Sequence, residues 1–281
     1  MKFNINNYAE NLTENEGIFY SKNTTKISYP EDGNDLCFNL EDHSYWFKHR
    51  NNCIISLAKR YVKNNLFFDI GGGNGFVSKG LEDHDIQSCL IEPGIQGCLN
   101  AKKRGLTNII CSDFENAGFK ENAIPSAGLF DVIEHIENDK NLLNSIHKYI
   151  ATEGVLFITV PAYNFLWSKE DVLAGHFRRY TLNVLKKKLY ESGFEIQYAT
   201  YIFSFLIIPI LFFRTLPSLF GIAGGGIKKS KKEHTVDEKG IVNKLLMKFL
   251  SFELRQIEKK RKIPFGGSCL IVAKKKKHDT L

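Results

Sequence analysis

The 281-residue chain is short of several things, and each shortage removes a class of protein. Its six cysteines (Cys37, Cys53, Cys89, Cys98, Cys111 and Cys269) form no CxxC pair. That argues against a disulfide framework and against thiolate-held metal, so no metal is expected, and reduced thiols fit the cytosol. The polar, Asn-rich start from Met1 to Tyr8 lacks the apolar core of a signal peptide. No phosphate loop of the GxxxxGK[ST] kind is present, and no internal repeat is visible. Excess charge of one sign is missing from most of the chain. Residues 1–227 hold 22 Lys and Arg against 25 Asp and Glu, whereas residues 228–281 hold 16 against 6. The basic end reads either as a solvated face or as a surface for an anionic membrane or nucleic acid.

What the chain does have is glycine at one decisive place. Leu66-Phe67-Phe68-Asp69-Ile70 reads as a short buried strand, and Gly71-Gly72-Gly73-Asn74-Gly75 as a tight turn. Apolar residues at Phe76, Val77 and Leu81 then carry a helical spacing. Strand, glycine turn and helix begin a nucleotide-binding βαβ unit, in which free N–H groups at the helix start face a ligand. The dinucleotide fingerprint needs a third glycine where Phe76 stands, which disfavours an NAD enzyme. Glu92 ends a second strand about 20 residues on, a position suited to ribose hydroxyls. Asp113 and Phe114 follow a third strand.

These residues, with Phe130-Asp131-Val132-Ile133-Glu134-His135-Ile136 and Thr159-Val160-Pro161-Ala162-Tyr163, resemble the class I S-adenosylmethionine-dependent methyltransferases. The likeness runs over residues 66–201 and extends to 266–274. It is nearest to the small-molecule branch that includes the ubiquinone and menaquinone methyltransferases. The resemblance implies S-adenosyl-L-methionine as cofactor. It places Gly71, Gly73 and Gly75 around the methionyl part and ribose, with Asp69 positioning that loop. It places Glu92 on the ribose, Asp113 and Phe114 on the adenine, and Asp131 at the cofactor's edge of the site.

Strands are expected at 66–70, 86–91, 107–111, 126–131, 155–160, 194–201 and 268–273, alternating with helices through most of that span. The fold class is therefore α/β: a Rossmann-like, doubly wound, seven-stranded and mostly parallel sheet with helices on both faces. A helical insertion precedes the last strand. One domain over 1–281 is expected, with 43–201 and 263–274 as its core and 202–262 as an insertion or cap. A helix over 42–62, capped by Asp42 or Ser44, precedes the first core strand. Residues 1–42 show no strong periodicity.

From Ile202 to Ile227 the only charge is Arg214, and Pro209 and Pro217 interrupt the stretch. It reads as a cap on the protein or a partner, or as a hairpin at a membrane surface reaching residue 232. A single span would part the last two strands across the membrane. The stretch 163–180 is long for a connection and dense in chemical groups, which marks a functional loop.

His135 is the first candidate for a general base and His176 the second, with Glu134 orienting a base or facing the cofactor. A structural role for each histidine stands beside this. Tyr163, Trp167, Arg178 and Arg179 are the candidate acceptor-binding residues. The two arginines would grip an acceptor phosphate or carboxylate, or else pair with Asp171 or Glu170. The expected activity is methyl transfer to a small-molecule or lipid-linked acceptor, at oxygen or carbon. The expected setting is the cytosol, reaching the inner membrane face. Nucleic acid is disfavoured as a partner, because Asp131 is not followed by the Pro-Pro-aromatic run of base methylases. An RNA methyltransferase and a non-catalytic membrane-associated module are the alternatives. Oligomeric state stays open.

Overall fold

The computed structural model describes residues 3–23, 33–219 and 240–276. The sheet has nine strands in the order β1-β2-β5-β4-β3-β6-β7-β9-β8. Seven of them are the expected ones: β3 (Leu66–Ile70), β4 (Gln87–Glu92), β5 (Ile109–Cys111), β6 (Ile124–Phe130), β7 (Ile150–Pro161), β8 (Phe194–Ile202) and β9 (Ser268–Lys275). The expectation of seven strands is corrected by a hairpin at the edge, β1 (Thr13–Asn15) and β2 (Ile18–Tyr20). β2 runs parallel to β5 through Phe19 and Tyr20. Two three-residue strands, one of them wholly polar and exposed, give no period-2 signal to read.

The central strands are buried on both faces, which is why they read as near-continuous apolar runs. On one face Phe68, Leu129, Ile158 and Ile271 pack under Leu143 and Ile146 of α5 (Asp139–Tyr149) and Leu185 and Leu189 of α7 (Leu182–Glu191). On the other face Phe67, Phe157, Leu270 and Val272 pack under α2 (Tyr45–Tyr61) and the C-terminal helix Ile241–Glu258. Ser44 caps α2 by accepting from the Trp46 N–H at 3.2 Å. The crossovers α3 (Phe76–Glu82) and α4 (Ile95–Lys103) bring the C-terminal ends of β3, β4 and β5 to one edge, and β6, parallel to β3, ends there too. In open α/β sheets that edge is where ligands bind.

Over its described part the apolar insertion is helical. It runs as helix (Ile207–Ile210), one π-helical turn (Leu211–Thr215) and helix again (Leu216–Leu219). Its inner side is tied to the long loop after β7. Thr215 Oγ1 donates to the Leu166 carbonyl at 3.2 Å, Lys169 N donates to Ser218 Oγ at 3.0 Å, and Arg214 pairs with Glu170 at 2.8 Å. Its outer side leaves Ile208, Phe212, Phe213 and Leu219 exposed. Among the described residues no helix is long and apolar enough to cross a membrane. Residues 220–239, which include the rest of the apolar stretch and the basic run after it, lie outside the described residues.

Candidate active site

The glycine turn is built for close approach. Gly71, Gly73 and Gly75 sit at φ +67°, +54° and +74°, a region that L side chains rarely enter. Gly71 N donates to the Ile91 carbonyl at 2.7 Å, which fixes the turn to β4. The side chain of Asn74, fully covered, donates to the Asn34 carbonyl at 2.8 Å and accepts from Asn100 at 3.0 Å. This holds a further helix, α1 (Gly33–Glu41), over the turn. Arg104 fastens the far end of α1 through Glu41 at 2.8 Å and Asp42 at 2.7 Å.

Below the turn lies a cavity of about 370 Å³. Asn34, Glu41 and Arg50 line it together with Asp69, Gly71, Gly73, Glu92, Asp131, His135 and His176. Its size falls at the low end of small-molecule sites, roughly 300–1,000 Å³. Asp69 is wholly buried at the end of β3. Ser78 donates to its Oδ2 at 2.8 Å, while Oδ1 has no hydrogen-bond partner. Burial pushes its carboxyl up to about 6, against the pull of Ser78 and Arg50. Glu92 accepts from Gly73 N at 2.9 Å and Gly94 N at 2.8 Å. Burial nevertheless raises it to about 7. Glu41 also rises to about 7, because burial outweighs Arg104.

Across the cavity, β6 ends at Asp131, which holds φ +58° as a non-glycine residue. Arg50 Nη1 and Thr159 Oγ1 both donate to its carboxylate, the second at 3.0 Å. Such a strained position, fixed from two sides, is typical of functional sites. The 3₁₀ turn Ile133–His135 follows. Glu134 is fully buried, and neither of its carboxylate oxygens has a hydrogen-bond partner. Its carboxyl is pushed well up by burial, then by the charge of Asp131. The His135 and His176 rings meet edge-on with centroids 4.7 Å apart. Burial and then His176 lower His135 to about 4, so its imidazole is neutral near pH 7.

The long loop after β7 is ordered by Asp171. Ser168 and Asp171 form a capping box on α6 (Lys169–Leu173). The same carboxylate receives Arg179 through two nitrogens, at 2.7 and 2.9 Å, and His176 Nδ1 at 2.9 Å. Its carboxyl falls to about 2: burial alone would raise it, and the His176 and Arg179 hydrogen bonds outweigh that. Phe177 N donates to the Glu134 carbonyl at 2.8 Å, which pins the loop beside the end of β6.

The candidate residues therefore divide. Asp69, Gly71, Gly73, Glu92, Asp131, His135 and His176 line one cavity, and Glu134 is fully buried beside the two histidines, outside that lining. Gly75 supports the turn from behind, where a side chain would strike Leu106 and Ala101. Asp113 and Phe114 are not brought to the cavity. Asp113 holds the N–H of Asn116 at 2.9 Å, and Phe114 packs in the core against Phe119 and Tyr149. Of the two settings for the arginines, Arg179 takes the pairing with Asp171, whereas Arg178 takes a third, with Asp139. Arg179 is committed to Asp171, and Arg178 to Asp139 and the carbonyls of Ile136 and Glu137. Tyr163 stacks on Tyr201 and lines a separate hollow with both arginines. Trp167 caps the short turn Asn164–Leu166 rather than lining the cavity. Sequence reasoning missed Arg50, Asn34 and Glu41 as lining groups. Arg50 was detectable, since Trp46, Phe47 and Arg50 share one face of α2 at helical spacing.

The cavity fits a nucleoside carrying a charged amino acid. It offers an unpartnered buried Asp69 oxygen, a glycine cradle and a carboxylate at the end of β4. No curated protein matches the chain by sequence. Solved structures resemble it at low identity. Phosphoethanolamine N-methyltransferase 2 of Haemonchus contortus, solved with S-adenosyl-L-methionine, is 14% identical with a TM-score of 0.55, over 90% of this chain and 59% of that one. A Thermotoga maritima S-adenosylmethionine-dependent methyltransferase gives 15% and 0.53, over 86% and 94%. One from Archaeoglobus fulgidus gives 16% and 0.50, over 82% and 100%. A family profile described as a methyltransferase domain matches residues 54–199, which hold the glycine turn, Glu92, Asp131 and the two histidines. The chain belongs to that methyltransferase-domain family and is an S-adenosylmethionine-dependent methyltransferase.

Proposed function

We propose that the chain moves a methyl group from S-adenosylmethionine to a small-molecule acceptor with an apolar part, at oxygen or carbon. The observation that carries this is the two-sided cavity. Asp69, the glycine turn and Glu92 form one wall, and Asp131, His135 and His176 form the other, with the buried Glu134 beside the two histidines. The cofactor supplies the reactive sulfonium methyl. The first wall holds the cofactor, with Glu92 on the ribose hydroxyls and Asp69 Oδ1 toward the methionine amino group. The second wall faces the acceptor, where the neutral His135 imidazole receives the proton an acceptor hydroxyl must lose. His176, oriented by Asp171, stands behind it.

An acceptor with an apolar tail is supported by the wall at Trp46. Its indole stacks on Phe203 with centroids 3.8 Å apart, and Phe203 opens the apolar insertion. The exposed Ile208, Phe212 and Phe213 extend that apolar surface outward. In this reading the tail leaves the cavity past Trp46, and the protein works at the inner face of a membrane. To test it, the full chain is incubated with methyl-labelled S-adenosylmethionine and either a lipid extract, an aqueous metabolite extract or RNA. Label entering a solvent-extractable product is the expected result. Label appearing only in RNA, or only in water-soluble products, would overturn the lipid-linked acceptor.

A further inference from the structure

We propose that Cys98 and Cys111 are a thiol pair that hydrogen peroxide closes into a disulfide, and that closing it loosens the cofactor wall. Cys98 lies in α4, and Cys111 ends β5 directly opposite Glu92 in the pairing of β5 with β4. Cys98 Sγ donates to the Glu92 carbonyl at 3.2 Å, and Cys111 Sγ contacts the Pro93 carbonyl at 4.0 Å. The two sulfurs also meet each other in hydrogen-bond contact. The absence of CxxC pairs argues against a structural disulfide framework. It says nothing of two thiols that the fold brings together from a helix and the strand after it. In a reducing compartment such a bridge is transient, and redox sensing is the usual reason for one.

The two sulfurs are suited to different parts. Cys111 is half-buried, whereas Cys98 is fully covered. The Cys98 hydrogen bond holds the Cys111 thiol below its ordinary range, against burial and the charge of Glu92. The same contact, and then burial, raises Cys98. Cys111 is therefore both the more accessible sulfur and the readier thiolate, the profile of an oxidant-sensing cysteine. Cys98 stands behind it as the resolving thiol. Cys53, Cys89 and Cys269 are fully covered, and burial raises each of them.

The Cys111 thiolate attacks one oxygen of the peroxide and the O–O bond breaks. Cys111 becomes a sulfenic acid, and the departing hydroxide takes up a proton and leaves as water. The Cys98 sulfur then attacks the Cys111 sulfur, the S–O bond breaks, and the Cys98 proton leaves with the hydroxyl as a second water. Two thiols are oxidised to one disulfide while one peroxide is reduced to two waters. The sulfurs draw in to about 2.05 Å, and neither keeps a proton to donate. The Glu92 and Pro93 carbonyls lose those contacts. Both residues line the cavity, and the Glu92 carboxylate is set by the N–H groups of Gly73 and Gly94. α4 starts at Ile95, just beyond them, so a pull on Cys98 is felt at the same wall. The effect on the cofactor rests on the proposed contact of Glu92 with the ribose, but the bridge does not.

The test treats the full-length protein with hydrogen peroxide and maps its tryptic peptides by mass without reduction. Lys102, Lys103 and Arg104 lie between the two cysteines, so trypsin separates them unless they are bridged. The expected result is a joined pair of peptides carrying residues 98 and 111, separated again by dithiothreitol. Calorimetric titration of the same samples should show S-adenosylhomocysteine binding weakened about 10-fold by oxidation, the worth of one or two neutral hydrogen bonds, and restored by dithiothreitol. Cys98→Ser and Cys111→Ser keep a hydroxyl donor. They should keep the melting transition, bind S-adenosylhomocysteine as the reduced protein does, and lose the response to peroxide. Peptides that stay separate, or oxidation that stops at sulfinic acid on Cys111, would overturn the inference. A bridge that leaves binding unchanged would overturn the loosening of the wall. Reduced protein that forms the bridge but never binds S-adenosylhomocysteine would support the thiol pair and count against the reading of the cavity.

Discussion

A Cβ at Gly72 would collide with the Leu90 side chain and lie 2.6 Å from Asp69 Oδ2. Gly73 differs, since its own Cβ would have room, the nearest atom being Asn34 Oδ1 at 3.7 Å. Only its φ of +54° resists a side chain there. Gly72→Ala should therefore destabilise by about 1–3 kcal/mol through overpacking and displace Asp69. Gly73→Ala should cost about 1–2 kcal/mol through backbone strain. Thermal melts of the two variants, each with and without S-adenosylhomocysteine, compare them. Loss of ligand stabilisation in Gly72→Ala is the expected mark of a displaced Asp69. Glu92 adds a pH signature to the same wall. Raised to about 7, it binds a proton in the free protein that a ribose contact would expel. S-adenosylhomocysteine affinity should thus rise from pH 5.5 to about 7 and level off above it. A flat profile over that range would remove Glu92 from the ribose.

At the scale of elements, one acid joins three parts of the cap. Glu253, on the C-terminal helix, takes His49 of α2 at 2.8 Å. It also takes the N–H groups of Phe203 and Ser204 at 2.6 and 2.9 Å, where the apolar insertion begins. Both Glu253 and His49 are almost fully covered. Removing the acid leaves these donors buried and unmatched, so Glu253→Ala should cost about 3–5 kcal/mol. Denaturant melts measure this, and an effect below about 1 kcal/mol would mean that the cap is held by apolar packing alone. This junction was not legible in the sequence. Apolar spacing between Ile241 and Ile257 predicts a helix over residues 236–262, but nothing local tells that Glu253 faces inward. The strands were readable because burial on both faces makes them apolar runs ending in Asp69, Glu92 and Asp131. The β1–β2 hairpin was not, because a polar edge strand carries no alternation. Asp113 and Phe114 follow β5 in the chain, but they do not reach the cavity, where the resemblance put them. Their side-chain directions depend on Asn116 and Phe119, which spacing does not reveal.

For the whole molecule, charge is the lever. Asp69, Glu41 and Glu92 are all raised by burial, to about 6, 7 and 7. A carboxyl raised in the folded state keeps its proton there when the unfolded chain has lost it. Stability from this source is complete below about pH 4.5 and is lost as pH climbs through 6 and 7. Asp171 runs the other way. It is lowered to about 2, and its contribution is lost only as pH falls below about 4 toward 2. The ligand-free protein should therefore melt at a lower temperature at pH 8 than at pH 5, and a calorimetric scan at both values checks this. The opposite order would place the three acids in wetter surroundings.

The most direct test of methyl transfer from this cavity is calorimetric titration of the full-length protein with S-adenosylhomocysteine, beside Glu92→Ala. One-to-one binding is expected, weakened in the variant by about 10–100-fold, as loss of charge-assisted hydrogen bonds worth about 1.5–3 kcal/mol implies. No binding, or equal binding by both proteins, would contradict the account.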